Sequence, residues 1–176
     1  MAVHIALLRG INVGGKNRLA MSLLRTIASD LGYTDVVTYI QSGNIVLTSR
    51  EASRTVAGKL EGAITATTGL DVPVIARTAA EWSTMMAANP FPVADGKKLH
   101  VVFLPGPAGD AYSRIDSAAH GPEDFSVSGS HVFLWLPNGI GRSKLAAAIG
   151  RAGQPGTARN WNTVVKLAQL SGAEQP

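Results

Sequence analysis

Residues 3–10 read "VHIALLRG", and residues 99–106 read "LHVVFLPG". In each, a histidine follows the first apolar residue, an apolar run comes next, and a glycine closes the stretch. Short runs of this kind, bounded by Gly or Pro, are strand patterns. The segments downstream of the two runs repeat as well. In the first half, "MSLLRTIASDLG" (21–32) puts Met21, Leu24, Ile27, Ala28 and Leu31 at helical spacing, with Gly32 as the stop. "VVTYI" (36–40) and "NIVLT" (44–48) flank "QSG", a hairpin signal. Residues 53–68 carry a helical pattern, "VPVIAR" (72–77) a strand, and "AAEWSTMMAAN" (79–89) a helix stopped by Pro90.

The second half runs in the same order. A helix is predicted over 110–120. "FSVSGSHVFLWL" (125–136) echoes "YIQSGNIVLTS" as strand, Ser-Gly turn, strand, and "RSKLAAAIGRAG" (142–153) is the next helix. "TAR" (157–159) stands where "IAR" (75–77) stood, and "WNTVVKLAQL" (161–170) is the closing helix. The offset between halves falls from 96 to 86 to 82, as shorter connections in the second copy would produce. The expectation is an α+β protein of two duplicated βαββαβ, ferredoxin-like halves, each followed by a helix. The halves span 1–90 and 99–176 and form one compact unit, with the Pro- and Gly-rich segment 91–98 as linker.

That topology has a consequence for function. In a βαββαβ unit the first two strands run parallel, so their carboxyl ends share one edge of the sheet. The loop "RGINVGGKN" (9–17) should therefore face the turn "QSGN" (41–44). Arg9, Asn12, Lys16 and Asn17 would then lie beside Gln41, Ser42 and Asn44.

Two readings of the loop stand. Literally it is G-x-x-x-x-G-K, the pattern of a phosphate-binding loop, but Asn17 replaces the Ser or Thr whose hydroxyl coordinates magnesium. No apolar strand ending in Asp supplies the second metal contact, and the next helix begins several residues after Lys16. Nucleotide hydrolysis is not expected. What survives is an anion cradle of glycine amides and a lysine, set against a plain connection whose glycines provide positive φ.

Composition fixes the outer limits. Apolar residues make up 45% and charged residues 16% of the 176, which suits a globular core rather than disorder. There is no cysteine, so disulfides, thiolate metal sites and cysteine nucleophiles are excluded, and a reducing cytoplasm fits. The start of the chain lacks the basic region and cleavage site of a signal peptide. The longest stretch free of charged residues, Phe125–Gly141, contains Ser, His, Pro, Asn and Gly, so no membrane span is expected. Charge is uneven along the chain. Residues 1–29 hold Arg9, Lys16, Arg18 and Arg25 with no acid; residues 125–173 hold Arg142, Lys144, Arg151, Arg159 and Lys166, again with none.

Other chemistry is sparse. The four histidines (His4, His100, His120, His131) have no metal-ligand spacing, and His4 and His100 occupy matching strand positions, which suggests a structural role. No serine lies in a nucleophile-elbow pattern and no His-Asp pair is assignable, which argues against a covalent hydrolase. "GIGRSKL" sets Arg142, Ser143 and Lys144 at a helix start, where amides favour anions. "RNWNT" sets Arg159 and Asn160 before another helix; Asn160 or Asn162 also fits as its cap, with Trp161 in the core. His131, Phe133 and Trp135 alternate on one strand face, but Val132, Leu134 and Leu136 make the other face apolar too, so a strand buried on both sides is expected rather than a base-stacking platform.

The stretches "ALLRGINVGGKNRLAM" (6–21), "TYIQSGNIVL" (38–47), "NPF" (89–91), "LPNGIGRSKL" (136–145) and "ARNWNTVVKL" (158–167) together resemble the bacterial domain-of-unknown-function family 1697. The resemblance implies a duplicated ferredoxin-like fold in a cytoplasmic bacterial protein. It brings no reaction, substrate or cofactor. The family's Thr before "RNW" is Ala158 here, which removes one hydroxyl. The leading expectation is a protein that binds a small anionic ligand, phosphorylated or nucleotide-like, at the loop edge, with Lys16 as the nearest titratable group if any reaction occurs there. A nucleic-acid-binding module using the two basic segments, and an interaction domain without a ligand, are the alternatives. No cofactor is expected.

Overall fold

The computed structural model describes residues 1–92 and 95–174. Val93 and Ala94 of the expected linker, and Gln175 and Pro176, lie outside the described residues. The first half contains β1 (Ala2–Leu8), α1 (Met21–Asp30), β2 (Thr34–Tyr39), β3 (Asn44–Ser49), α2 (Ser53–Thr68), β4 (Val74–Thr78) and α3 (Ala79–Ala87). The second contains β5 (Leu99–Phe103), β6 (Asp124–Ser128), β7 (His131–Trp135), α4 (Lys144–Ala152), β8 (Thr157–Asn160) and α5 (Trp161–Ser171). Its described residues divide into two units, 1–84 with 167–174 and 85–92 with 95–166. No described helix is long and apolar enough to cross a membrane.

Each half makes a four-stranded sheet with every neighbouring pair antiparallel, in the order β2-β3-β1-β4 and β6-β7-β5-β8. β1 and β5 hold the same place in the two sheets, as the repeat requires. The register repeats too: His4 lies opposite Leu47 and Thr78, and His100 opposite Leu134 and Asn160. β1 and β2 are both antiparallel to β3, so they run parallel to one another, and their carboxyl ends meet at one edge.

The helices arise from apolar spacing and their stops. In α2, Val56, Ala57, Leu60 and Ile64 fall on one face, and Gly69 ends the helix in the left-handed conformation with its amide on the Thr65 carbonyl. After α1, Gly32 (φ +85°) gives its amide to the Ser29 carbonyl and Tyr33 gives its amide to the Ala28 carbonyl, the paired bonds of a Schellman stop. Leu24, Ile27, Val56, Leu60 and Ile64 then pack on Ala6, Leu8, Ile45, Leu47 and Ala76 from one face of the sheet. At roughly 1.5–3 kcal/mol for each large apolar side chain, this burial supplies the main driving force. Ile5, Leu7, Val46 and Ile75, which point the other way, are also buried. In the second half Leu145 and Ile149 of α4 pack on Val132 and Leu134, while Val101, Phe103 and Phe133 are buried on the opposite face. The aromatic alternation in β7 is therefore a strand covered on both sides.

One expected element is absent in the form predicted. Residues 110–120 are a series of turns ending in a single 3₁₀ turn, Ser117–His120, rather than a helix. Ser113 and Ile115 donate their amides three residues back, to Asp110 and Tyr112, and the Ser113 hydroxyl competes for the Asp110 carbonyl. The Asp116 carboxylate then accepts the Ala118 amide and starts a new turn. Local side-chain acceptors here outcompete the helical ladder. The predicted helix 142–153 also starts later, at Lys144, because Ser143 is its cap.

At the loop edge of the first sheet the fit is close. Leu8 donates its amide to the Gly43 carbonyl at 2.8 Å, and Arg9 donates to the Pro73 carbonyl at 2.9 Å. A Cβ on Gly43 would lie 2.6 Å from Ile11 Cδ1 and 2.8 Å from Leu8 Cβ, and the residue has φ +84°. Gly43→Ala combines overpacking with left-handed strain, and a loss of about 2–4 kcal/mol is expected in urea unfolding. Gly14 has a positive φ but nothing within 4 Å of its Cβ position, so Gly14→Ala should lose only about 1 kcal/mol. Equal losses for the two would show that the close approach is unimportant.

Candidate functional site

The loop between β1 and α1 is itself a small hairpin. Val13 and Lys16 form a β-bridge across Gly14 (φ +58°) and Gly15 (φ +76°), and Lys16 donates its amide to the Val13 carbonyl. Two successive positive-φ residues make a tight primed turn, which explains "GG" at this point. Asn12 (φ +55°) and Asn17 (φ +49°) close the base, the Asn12 amide bonding the Asn17 carbonyl at 3.1 Å. Asn is the residue after Gly that best tolerates this conformation.

The asparagine side chains hold the hairpin to its surroundings. Asn12 Nδ2 donates to the Leu19 carbonyl at 2.9 Å and to the Gln41 carbonyl at 2.8 Å, while its Oδ1 accepts the Leu19 amide. Asn17 Nδ2 donates to the Gly10 carbonyl. Buried Asn44 donates to the Tyr39 carbonyl and to Ser42 Oγ. Ile11 and Leu19 anchor the two arms in the core. Arg9, Asn12, Lys16, Asn17, Gln41, Ser42 and Asn44 are thus brought to one edge, but Asn12, Asn17 and Asn44 build it. Asn17, Gln41 and Ser42 are exposed, and so are the cations Arg9, Lys16 and Arg18, whose side chains make no hydrogen bond or ion pair with the described residues.

The carboxyl-terminal residues belong to the second half and act differently. Ser143 caps α4 by accepting the Ala146 amide at 2.9 Å, and its hydroxyl donates to Glu123 Oε2, also at 2.9 Å. Glu123 Oε2 further lies 3.4 Å from the Leu145 amide. The protein's own Glu123 carboxylate therefore sits where an anion would bind at this helix start, on Ser143, whose sequence neighbours Arg142 and Lys144 are exposed. Asn160 Oδ1 accepts the Thr163 amide and caps α5, while Trp161 is buried. Arg159 is 8% exposed and donates from Nη1 to Thr157 Oγ1 and the Ala158 carbonyl. Burial pushes its pKa down to about 10. Its counterpart Arg77 donates to the Ala76 carbonyl in the same way.

A second cluster, not apparent in the sequence, lies at the opposite end of the first sheet. His4 is fully buried, with Nδ1 3.2 Å from Ser53 Oγ. Ser53 Oγ is 3.4 Å from Glu81 Oε2. Glu81 and Thr78 form a capping box at the start of α3: Glu81 Oε2 accepts the Thr78 amide at 2.7 Å, and Thr78 Oγ1 accepts the Glu81 amide. "TAAE" at 78–81 was the available signal for Glu81; nothing local marks Ser53. Nearby, Tyr33 donates its hydroxyl to Glu51 Oε2 at 2.9 Å and Lys59 pairs with Glu51, which lowers the pKa of that carboxyl. An open cleft of about 270 Å³ runs here, lined by Leu31, Tyr33, Thr34, Ser49, Arg50 and Glu51.

Burial lowers both His4 and His100 from the usual 6.5, with Glu81 partly offsetting the shift at His4. A depressed folded value means that the neutral imidazole stabilises the fold above the unfolded value of 6.5, and that this stability is lost as pH falls through the depressed values. Urea midpoints should therefore drop as the pH falls below 6.5, and His4→Asn should shrink that drop. Asn12→Ala removes three hydrogen bonds from a tether, and about 2–3 kcal/mol of stability should go with them. An unchanged midpoint would mean that the hairpin is not held through Asn12.

With this geometry in view, comparisons place the chain among known proteins. A solved structure of "conserved bacterial protein SP0830 from Streptococcus pneumoniae" is similar, with 22% identity, a TM-score of 0.71, and coverage of 96% of this chain and 98% of that one. At that identity the likeness concerns the fold. No curated protein matches the chain. The sequence profile described as "Protein of unknown function (DUF1697)" matches residues 1–133, and the chain belongs to that family.

Proposed function

We propose that the protein binds a small phosphate-bearing anion at the loop edge of the first sheet, with Arg9, Lys16 and Arg18 as the recognising groups. The observation that carries this reading is a set of three exposed cations, Lys16 on and Arg9 and Arg18 beside a hairpin already fixed by Asn12 and Asn17, none of them paired with an acid among the described residues. Fixing the backbone beforehand lowers the entropy lost on binding. Arginine adds bidentate geometry suited to phosphate. The absence of cysteine is consistent with a reducing cytoplasm as the working compartment.

A second reading, nucleic-acid binding, is favoured by the run of Arg9, Lys16, Arg18 and Arg25 without an acid in residues 1–29. Arg25 reaches Thr38 Oγ1 at 2.6 Å and so sits over β2. Salt separates the two: a polyanion releases counterions and loses affinity steeply with added salt, whereas a small anion is less sensitive.

Calorimetry against phosphate, nucleotides and short oligonucleotides tests both. Lys16→Ala should remove a charge-assisted contact of about 1.5–3 kcal/mol, roughly ten- to hundredfold in affinity. Because Lys16 is exposed, the same change should move folding stability by less than about 0.5 kcal/mol. Identical responses of wild type and Lys16→Ala to every ligand that binds would remove the loop as the site.

A further inference from the structure

The cluster at the far end of the first sheet does more than hold elements together. We propose that Ser53 is a nucleophile, with His4 as its general base, for acyl transfer from small carboxylic esters; the juxtaposition of Ser53 Oγ with His4 Nδ1 at the amino end of α2 is what carries it. This inference is independent of the anion reading, since β1 separates the two ends of the sheet.

Four features converge. Ser53 follows a strand and is the first residue of α2, at the positive end of a helix of 16 residues. Its hydroxyl does not cap that helix; the cap residue is Ala52, with no side-chain bond. Instead Oγ lies 3.2 Å from His4 Nδ1 and donates to Glu81 Oε2 at 3.4 Å, and the hydroxyl turns from that carboxylate to Nδ1 for the reaction. The Thr55 and Val56 amides both go to the Ala52 carbonyl, which leaves the Ser53 and Arg54 amides without an acceptor among the described residues. Two such amides beside a serine are the donors an oxyanion needs. Ser53 itself is half-buried and so reachable.

His4 suits the base role because burial keeps it neutral. The groups that face it are the Glu81 carboxylate from α3, the backbone of Glu51 in the β3–α2 connection, and, next to Glu81, Arg77 of β4. In the reaction, the Ser53 Oγ proton passes to His4 Nδ1 as Oγ bonds to the ester carbonyl carbon. The carbonyl electron pair moves onto oxygen, against the two amides. It returns as the bond to the alcohol oxygen breaks, and the alcohol leaves with the proton from Nδ1. Water, giving its proton to Nδ1, then attacks the acyl carbon, releases the acid and restores Ser53. The second half has the matching histidine without this chemistry. His100 lies opposite Asn160, its Nδ1 has no hydrogen-bond partner among the described residues, and Ser143 caps its own helix and bonds Glu123.

A fluorophosphonate probe tests the proposal on the full chain: an Oγ–P bond forms, fluoride leaves, and the proton goes to His4. Peptide mass spectrometry should find the label on Ser53, and Ser53→Ala should abolish it, and the hydrolysis of 4-nitrophenyl acetate, with an unchanged melting transition. His4→Asn should slow labelling about a hundredfold. Because His4 is buried and its replacement can perturb the fold, the wild-type rate is the second measure: it should rise with pH through a midpoint below 6.5. A folded protein unlabelled at Ser53, or labelled there at a rate independent of pH, overturns the proposal. So does loss of labelling in Glu81→Gln with His4→Asn unaffected, which would make the carboxylate the base.

Discussion

From Ile5 to Leu8, strand β1 has no side that meets water. Its backbone groups are taken by β3 on one flank and β4 on the other, and its side chains are buried on both faces. A strand in this position can carry no charge and no unsatisfied amide without a loss of several kcal/mol. Polar chemistry is therefore pushed to its two ends, where the chain must leave the core. The carboxyl end becomes the Asn-tethered hairpin with Arg9, Lys16 and Arg18. The amino end becomes the cluster of His4, Ser53, Thr78 and Glu81.

The same constraint acts on β5, and the second half reveals what a duplicated frame holds constant. The sheet order, the buried histidine near the start of the central strand and the arginine on the edge strand beside it recur. The capping residue at the end of the last strand also recurs, as Thr78 in one half and Asn160 in the other. These are the parts that packing and backbone satisfaction demand. The parts that differ are in the connections: a helix after β1 against turns after β5, and a serine turned toward histidine at α2 against a serine turned back onto its own helix at α4. Burial conserved the frame, and the connections were left to diverge.

Both ends of β1 show polar side chains working in tethers before any ligand is considered. At the loop edge, hydrogen bonds from Asn12 and Asn17 convert the connection 9–20 into a fixed platform, so that the exposed cations are presented at little further entropic loss. At the other end, the Thr78–Glu81 box orients a carboxylate toward Ser53, while burial lowers the pKa of His4. Fixed geometry with a neutral base differs chemically from fixed geometry with free cations, and one small sheet carries each at a separate edge.

The sequence by itself determined the duplication, the alternation of strands and helices, and the meeting of "RGINVGGKN" with "QSGN". Those features depend on local periodicity, on Gly and Pro stops, and on a topology with few solutions. It did not determine residues 110–120, where hydroxyl and carboxylate acceptors broke a helical pattern, nor the roles of Asn12 and Asn17, which look like ligand contacts until their partners are known. Only the tertiary structure placed His4 beside Ser53, 49 residues away, and Glu81 beside both. That contact exists because the sheet order puts β1 between β3 and β4. The start of α2 and the start of α3 then fall at the end of the strand that carries His4. Sequence separation contains no trace of such a meeting, since pairing across a sheet is decided by what the whole core can bury.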